Sequence, residues 1–281
     1  MAAPRVLAEG SNVLVHLEPT PVVARVPTST IAEFRPGTTW LEREVAVARH
    51  LARRSAPVVA PSAEIDPGPH VHDGMPVTFW AYAEPAPGPP DARAAGAALR
   101  ACHDALADFP GDLPDHAIFH EARAVLARLA GGGALAAEDA ALATQIGDRL
   151  AARIAALDVP LQALHGDAHL GNVIQTRDGP LWNDLEDTHR GPRAWDLACL
   201  EAHARVFGRP AAPVAAARAG YGDAGDPALL DLMVDARAYV GVAWTLVYAP
   251  HRADSAGRVA ASLEWLRTHA GALDDDEAAS C

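Results

Sequence analysis

The chain has 281 residues, half of them hydrophobic, and a formal net charge of -13 at pH 7. That length and apolar content support a full buried core in one unit of two lobes, and the negative balance argues against nucleic acid as a partner. No charged-then-apolar start and no spanning apolar run is present, and Cys102, Cys199 and Cys281 lack metal-ligand spacing, so the expectation is a reduced, soluble, cytoplasmic protein without a membrane partner.

Taken in chain order, Glu9-Gly10-Ser11-Asn12 reads as a turn whose Ser11 hydroxyl could cap a phosphate. Residues 13–17 and 22–26 read as strands around the turn 18–21. Apolar positions 41, 45, 47, 48 and 51 put a helix over 39–51. His70 and His72 follow Pro67-Gly68-Pro69 and read as a solvated loop. Residues 77–83 are the most β-prone stretch of the first third, and the four prolines and one glycine of 84–90 then exclude either regular element, which makes this segment a linker.

Beyond the linker the pattern is helical: 92–106, then 119–129 and 138–157 on either side of Gly131-Gly132-Gly133, and later 197–206, 227–248 and 253–269. The stretch 227–248 is apolar nearly all round, but Asp231, Asp235 and Arg237 make it a core helix and not a membrane span. The acidic run Asp274-Asp275-Asp276-Glu277 reads as a solubilising, disordered end.

Between the helices lies the most informative segment. The apolar run 161–164 is followed by His165-Gly166-Asp167-Ala168-His169-Leu170-Gly171-Asn172, a strand at Val173-Ile174, a turn at 177–180 and a returning strand at Leu181-Trp182. Asn183-Asp184-Leu185-Glu186-Asp187 and Trp195-Asp196-Leu197-Ala198 come next. A hairpin of that length brings Asn172 and Asp184 back beside Asp167. One carboxylate to orient a hydroxyl and two hard oxygen ligands for Mg²⁺, which takes its other ligands from water and phosphates, are what phosphoryl transfer from ATP requires.

The order His-Gly-Asp-x-x-x-x-Asn, an Asp about a dozen residues later, and Asp-Leu-Ala is similar to that of the aminoglycoside phosphotransferase and choline kinase group, which shares the protein-kinase-like fold. The resemblance implies an α+β fold with a β-rich nucleotide-binding lobe over 1–84, a hinge at 85–91, a helical lobe over 92–273 and an acidic tail at 274–281. It makes Asp167 the catalytic base, Asn172 and Asp184 the metal ligands, and Asp196 the acid that braces the catalytic loop, with His165 holding that loop in place.

Arg25 falls at the position that resembles the strand lysine of protein kinases. All 23 basic residues are arginine, so no lysine can fill that role, and a Walker-type phosphate loop is excluded. Arginine grips phosphate through a planar fork and keeps its proton. Glu44, or failing it Glu42, would pair with Arg25. In the resembled fold Phe79, Tyr82 and Ala83 would line the adenine pocket, and Glu186, Asp187 and His169 are candidates for a second metal or for substrate.

The cofactors implied are ATP, with GTP left open, and Mg²⁺. The acceptors implied are hydroxyls of small molecules, either aminoglycoside-like antibiotics or metabolic alcohols such as choline and aminosugars. A nucleotide-binding regulator without catalysis is the reading from another class. Residues 1–90 hold 7 Arg against 9 acids and residues 91–281 hold 16 against 27, so the acidity lies mainly in the second part and favours a cationic acceptor. No internal repeat and no Gly-x-Ser-x-Gly is present, which leaves hydrolase chemistry without support.

Overall fold

A computed structural model describes residues 3–28, 33–222, 225–253 and 255–278, those after 269 as backbone only. Cys281 and the last residues of the acidic run's extension therefore lie outside the described residues. The chain divides into two compact units, Met1–Asp115 with Pro160–Gly225, and His116–Val159 with Asp226–Cys281.

The first unit opens with a five-stranded antiparallel sheet of order β1-β2-β3-β5-β4, made of β1 (Arg5–Glu9), β2 (Asn12–His16), β3 (Val22–Pro27), β4 (His70–His72) and β5 (Met75–Ala81). Strand β1 carries no readable signal because every residue of it is exposed, so there is no inside-outside alternation to see. His70 and His72 correct the loop expectation: they form an exposed edge strand against β5, in register His70 to Val77 and His72 to Met75. Between β3 and β4 lies helix α1 (Thr39–Arg53), whose buried face contains Leu41, Val45, Ala48 and Leu51 and also one acid, Glu44.

The linker after β5 is tied down rather than loose. Ala86 N donates to Gln175 O at 2.7 Å and Asp91 N to Gln175 Oε1 at 3.0 Å. Asp91 then caps helix α2 (Ala92–Leu106) through a bond from Ala94 N.

The catalytic-type motif occupies short pairs of strands in the same unit. Strand β6 (Gln162–Ala163) pairs with β9 (Arg190–Gly191), and β7 (Val173–Thr176) with β8 (Gly179–Trp182) around the turn Arg177-Asp178. Trp182 is fully buried and donates from Nε1 to Ala95 O at 3.1 Å, which anchors the hairpin to α2.

Helix α5 (Ala194–Arg205) follows, and then α6 (Ala211–Tyr221), a helix absent from the sequence reading. Helix α6 lacks a side-chain cap and is mostly alanine, so neither end nor face is marked. It crosses α2 at backbone contact: a Cβ on Gly96 would lie 1.8 Å from Ala217 O, and one on Gly220 1.8 Å from Arg93 O. Only glycine fits at this crossing, which fixes where the first turns of α2 meet the C-terminal half of α6.

The second unit is all helical: α3 (Ala117–Gly131), α4 (Ala137–Ala155), α7 (Pro227–Tyr248) and α8 (Ser255–Ala278). Tyr239 of α7 packs on Phe119 with ring centroids 5.6 Å apart, and its hydroxyl donates to Ala143 O at 3.0 Å. Asp139 accepts both arms of Arg267 at 3.0 Å. Helix α8 continues to Ala278, so the backbone through the acidic run is helical. Among the described residues no helix is long and apolar enough to cross a membrane.

Candidate active site

Gly166 makes the turn that begins the site. Its φ is +93°, and a Cβ there would meet Asp187 O at 1.9 Å, so the backbone of the Asp167 loop touches the backbone of the Asp184–Asp187 segment. His165 is buried; its Nε2 donates to Asn183 O at 3.0 Å and its Nδ1 accepts from Asp167 N at 3.4 Å. Burial holds this imidazole below its ordinary pKa and keeps it neutral, which suits a ring that donates from one nitrogen and accepts at the other.

Asp196, in the first turn of α5, accepts from His165 N and Gly166 N at 2.9 Å each and from His103 Nε2 at 2.8 Å. The Tyr221 hydroxyl closes on His103 Nδ1 at 2.8 Å, so the α2–α6 crossing ends on this carboxylate. Burial opposes the charge of Asp196, but the bonds from His103 and Gly166 prevail and hold it below the ordinary carboxylate range.

Asn172 donates from Nδ2 to Asp167 O at 2.9 Å and to Asp167 Oδ2 at 3.3 Å. Its other amide atom, Oδ1, is left as the atom it can offer a cation. Asn183 N donates to Asn172 O at 2.9 Å, which sets Asp184 beside Asn172. Asp184 itself has φ +66°, a left-handed conformation that Asp tolerates better than most residues. His169 accepts from Gly171 N at Nδ1 (3.0 Å), and its Nε2 lies 3.4 Å from Asp167 Oδ2.

From the sheet, Arg25 is nearly buried and donates to Glu44, Asp184 and Glu186 at once. Glu42 instead accepts from Thr38 Oγ1 at 2.9 Å on the exposed side of α1. Burial lowers the affinity of Arg25 for its proton, yet the three carboxylates outweigh this and raise its pKa. Glu44 and Glu186 are each pushed up to about 7, first by burial and then by neighbouring acids against which one guanidinium is too little charge; Asp184 is raised for the same reasons.

The sequence reading had no signal for two further participants. Asn12 donates from Nδ2 to Glu186 Oε2 at 2.9 Å, and Arg35 donates to Asp187 Oδ1 at 2.6 Å while its guanidinium lies over the Trp40 ring at 5.6 Å. Asn12 opens β2 and Arg35 lies in the connection before α1, and local spacing carries no information about what lies opposite either of them.

The remaining candidates are spread out. Ser11 sits in the β1–β2 turn next to Asn12. Phe79 pairs with Ala24, one residue off Arg25, so the register puts Thr78 and Trp80 on Arg25's face; Phe79 tilts against His70 on the other. Tyr82 leaves the strand and stacks on His16 at 3.9 Å, followed by the half-buried Ala83.

The donor set suits a hard divalent cation. Asn172 and Asp184 offer oxygen, and the three acids crowded on Arg25 form a local negative excess that such an ion would offset. Among the described residues no three His, Cys, Asp or Glu side chains form a metal-holding group.

Residues 4–232 match the model of the phosphotransferase enzyme family. Over 43 residues the chain is 46% identical to stress response kinase A of Escherichia coli K12, a stretch covering 15% of this chain and 13% of that protein. The solved structure of the amicoumacin kinase hAmiN, in complex with AMP-PNP, Ca²⁺ and Ami, superposes with a TM-score of 0.71 at 16% identity, covering 95% of this chain and 88% of the other. A thermostable mutant of aminoglycoside phosphotransferase APH(4)-Ia, in its apo form, gives 0.68 at 16% identity with 96% of each chain covered. The fold is the protein-kinase-like one.

Proposed function

The chain belongs to the phosphotransferase enzyme family, and from that premise we propose that it is an ATP-dependent, Mg²⁺-requiring kinase that moves the γ-phosphate to a hydroxyl of a small molecule. The observation that carries this reading is one cluster drawn from distant parts of the sequence: Asn172 bonded to Asp167, and Arg25 bonded to both Glu44 and Asp184.

Asp167 orients the acceptor hydroxyl and takes its proton, while Asn172 holds the carboxylate in place through Nδ2. His169 faces the same carboxylate from the other side. Asn172 Oδ1 and Asp184 would hold Mg²⁺, which when bound neutralises charge on the phosphates. Arg25, positioned by Glu44, would offer phosphate the donors that it gives here to Asp184 and Glu186. Glu186 and Asp187, steadied by Asn12 and Arg35, stand where a second cation or the substrate would come. Ser11, Tyr82 and Ala83 would border the nucleotide, with residues 85–91 as hinge between lobes 1–84 and 92–273. ATP as donor supports a cytoplasmic location.

The acidic balance of residues 91–281 supports a cationic acceptor, with aminoglycoside-like antibiotics as the first class to test and metabolic alcohols such as choline or aminosugars as the second. Resistance of an expressing host on a panel of basic antibiotics selects the first class, and its absence on all of them turns the search to the second.

Thermal stability with ATP, GTP and Mg²⁺, alone and together, tests the site without knowledge of the acceptor. A Mg²⁺-dependent rise with one nucleotide, lost in Asp184→Ala, is expected through ligand linkage. No shift with either nucleotide overturns the assignment. Asp167→Ala should retain that shift and lose turnover by roughly 10²–10⁴-fold; nucleotide binding without transfer by wild type to any hydroxyl would instead favour a regulator.

A further inference from the structure

A cavity of about 290 Å³ lies one side chain away from Asp167. His169 lines it, and the Nε2 of that ring is the group 3.4 Å from Asp167 Oδ2. Helix α5 supplies Leu200 and His203, and the His203 ring stacks on that of His169 with centroids 4.5 Å apart. Pro213 and Val214 of α6 form an apolar wall, and the exposed Arg209 stands between the two helices. Among the described residues no carboxylate lines this cavity.

From this lining the geometry points to an acceptor whose hydroxyl-bearing end is uncharged, apolar and the size of a single ring, with any ammonium group kept at the far end of the molecule. The inference rests on Asp167 as the base, since His169, which lines the cavity, is the ring beside that carboxylate. Its volume is at the lower limit of small-molecule sites, about 300–1,000 Å³, and holds one ring rather than several. The stacked rings and the proline present flat faces to it. A cation entering here would lose water, meet no carboxylate in the lining and face the Arg209 guanidinium. The acidity of the second part of the sequence is therefore not repeated at this wall, and alcohols with an ammonium group on the adjacent carbon are the ones it rejects.

Benzyl alcohol and choline test this as probes of nearly equal size and different charge, each titrated in the presence of AMP-PNP and Mg²⁺. The imidazole signals of His169 and His203 are followed by NMR. Benzyl alcohol should shift both rings with a Kd at least about fivefold below that of choline. Arg209→Glu, a change on an exposed side chain, should reduce or reverse that ratio. Choline binding as tightly as benzyl alcohol, or neither probe shifting both rings, overturns the inference. The nucleotide-dependent thermal shift, measured on the same samples, keeps the two ideas apart: its presence leaves the kinase reading standing whatever the probes do, and its absence removes that reading first.

Discussion

Two buried acidic centres lie on either side of Gly166, and they are built in opposite ways. Asp196 is a single carboxylate that receives two backbone N–H groups and a histidine N–H, and its pKa is lowered in spite of burial. Around Arg25, three carboxylates share one guanidinium, and Glu44 and Glu186 are raised to about 7. Burial thus yields a permanent anion in one place and a surplus of acid in the other. The difference is donor supply: fixed N–H dipoles satisfy a charge where it stands, whereas crowded acids wait for positive charge from outside. The first arrangement suits a brace and the second a binding site.

Removing Asp196 should have the largest effect on the fold. Asp196→Ala leaves His165 N, Gly166 N and His103 without their acceptor and should cost about 3–5 kcal/mol in denaturant unfolding. Arg25→Met should cost less, about 2–3 kcal/mol at pH 8, and less still at pH 6, because Glu44 and Glu186 can take up protons there. An equal loss at both pH values would break the contrast. Its nucleotide-dependent thermal shift should vanish, and Arg25→Lys should restore part of it.

Gly166→Ala touches both centres through one backbone turn, since it strains φ +93° and pushes on Asp187 O. A loss of about 1–3 kcal/mol is expected, with weakened Mg²⁺-nucleotide binding as the accompanying readout. The last readout is the pH profile of the ligand-free protein. The folded pKa values of Glu44 and Glu186 lie above their ordinary 4.5, so stability is fully present below about 4.5 and declines as pH rises through about 7. A decline should appear in urea midpoints, and saturating Mg²⁺-nucleotide should flatten it. Asp196 acts with the opposite sign: its contribution is present above its ordinary 3.8 and is lost as pH falls through its lowered value.

Legibility followed the same division of signals. Helices α2 and α7 were readable to their ends because Asp91 and Asp226 cap them and the linkers before them are rich in proline or glycine. The hairpin β7–β8 was readable from Arg177-Asp178-Gly179. Strand β1, strand β4 and helix α6 were not, since two are exposed throughout and the third is an alanine run without a cap. Arg35 and Asn12 were equally silent. Each acts through a partner more than 150 positions away, and nothing in the local sequence encodes that partner.

What the sequence by itself determined is the chemistry on offer: an Asp, an Asn and a second Asp at hairpin spacing, a strand arginine in a chain without lysine, and an acidic balance concentrated after residue 90. Those follow from covalent order and short-range turns. Only the tertiary structure decided which acids share Arg25, that Asp196 is satisfied through a helix crossing made possible by Gly96 and Gly220, and that the wall beside Asp167 is imidazole and apolar rather than acidic. Charge, burial and hydrogen-bond satisfaction are properties of neighbours in space, and the long-range contacts that set them are fixed only when the core closes.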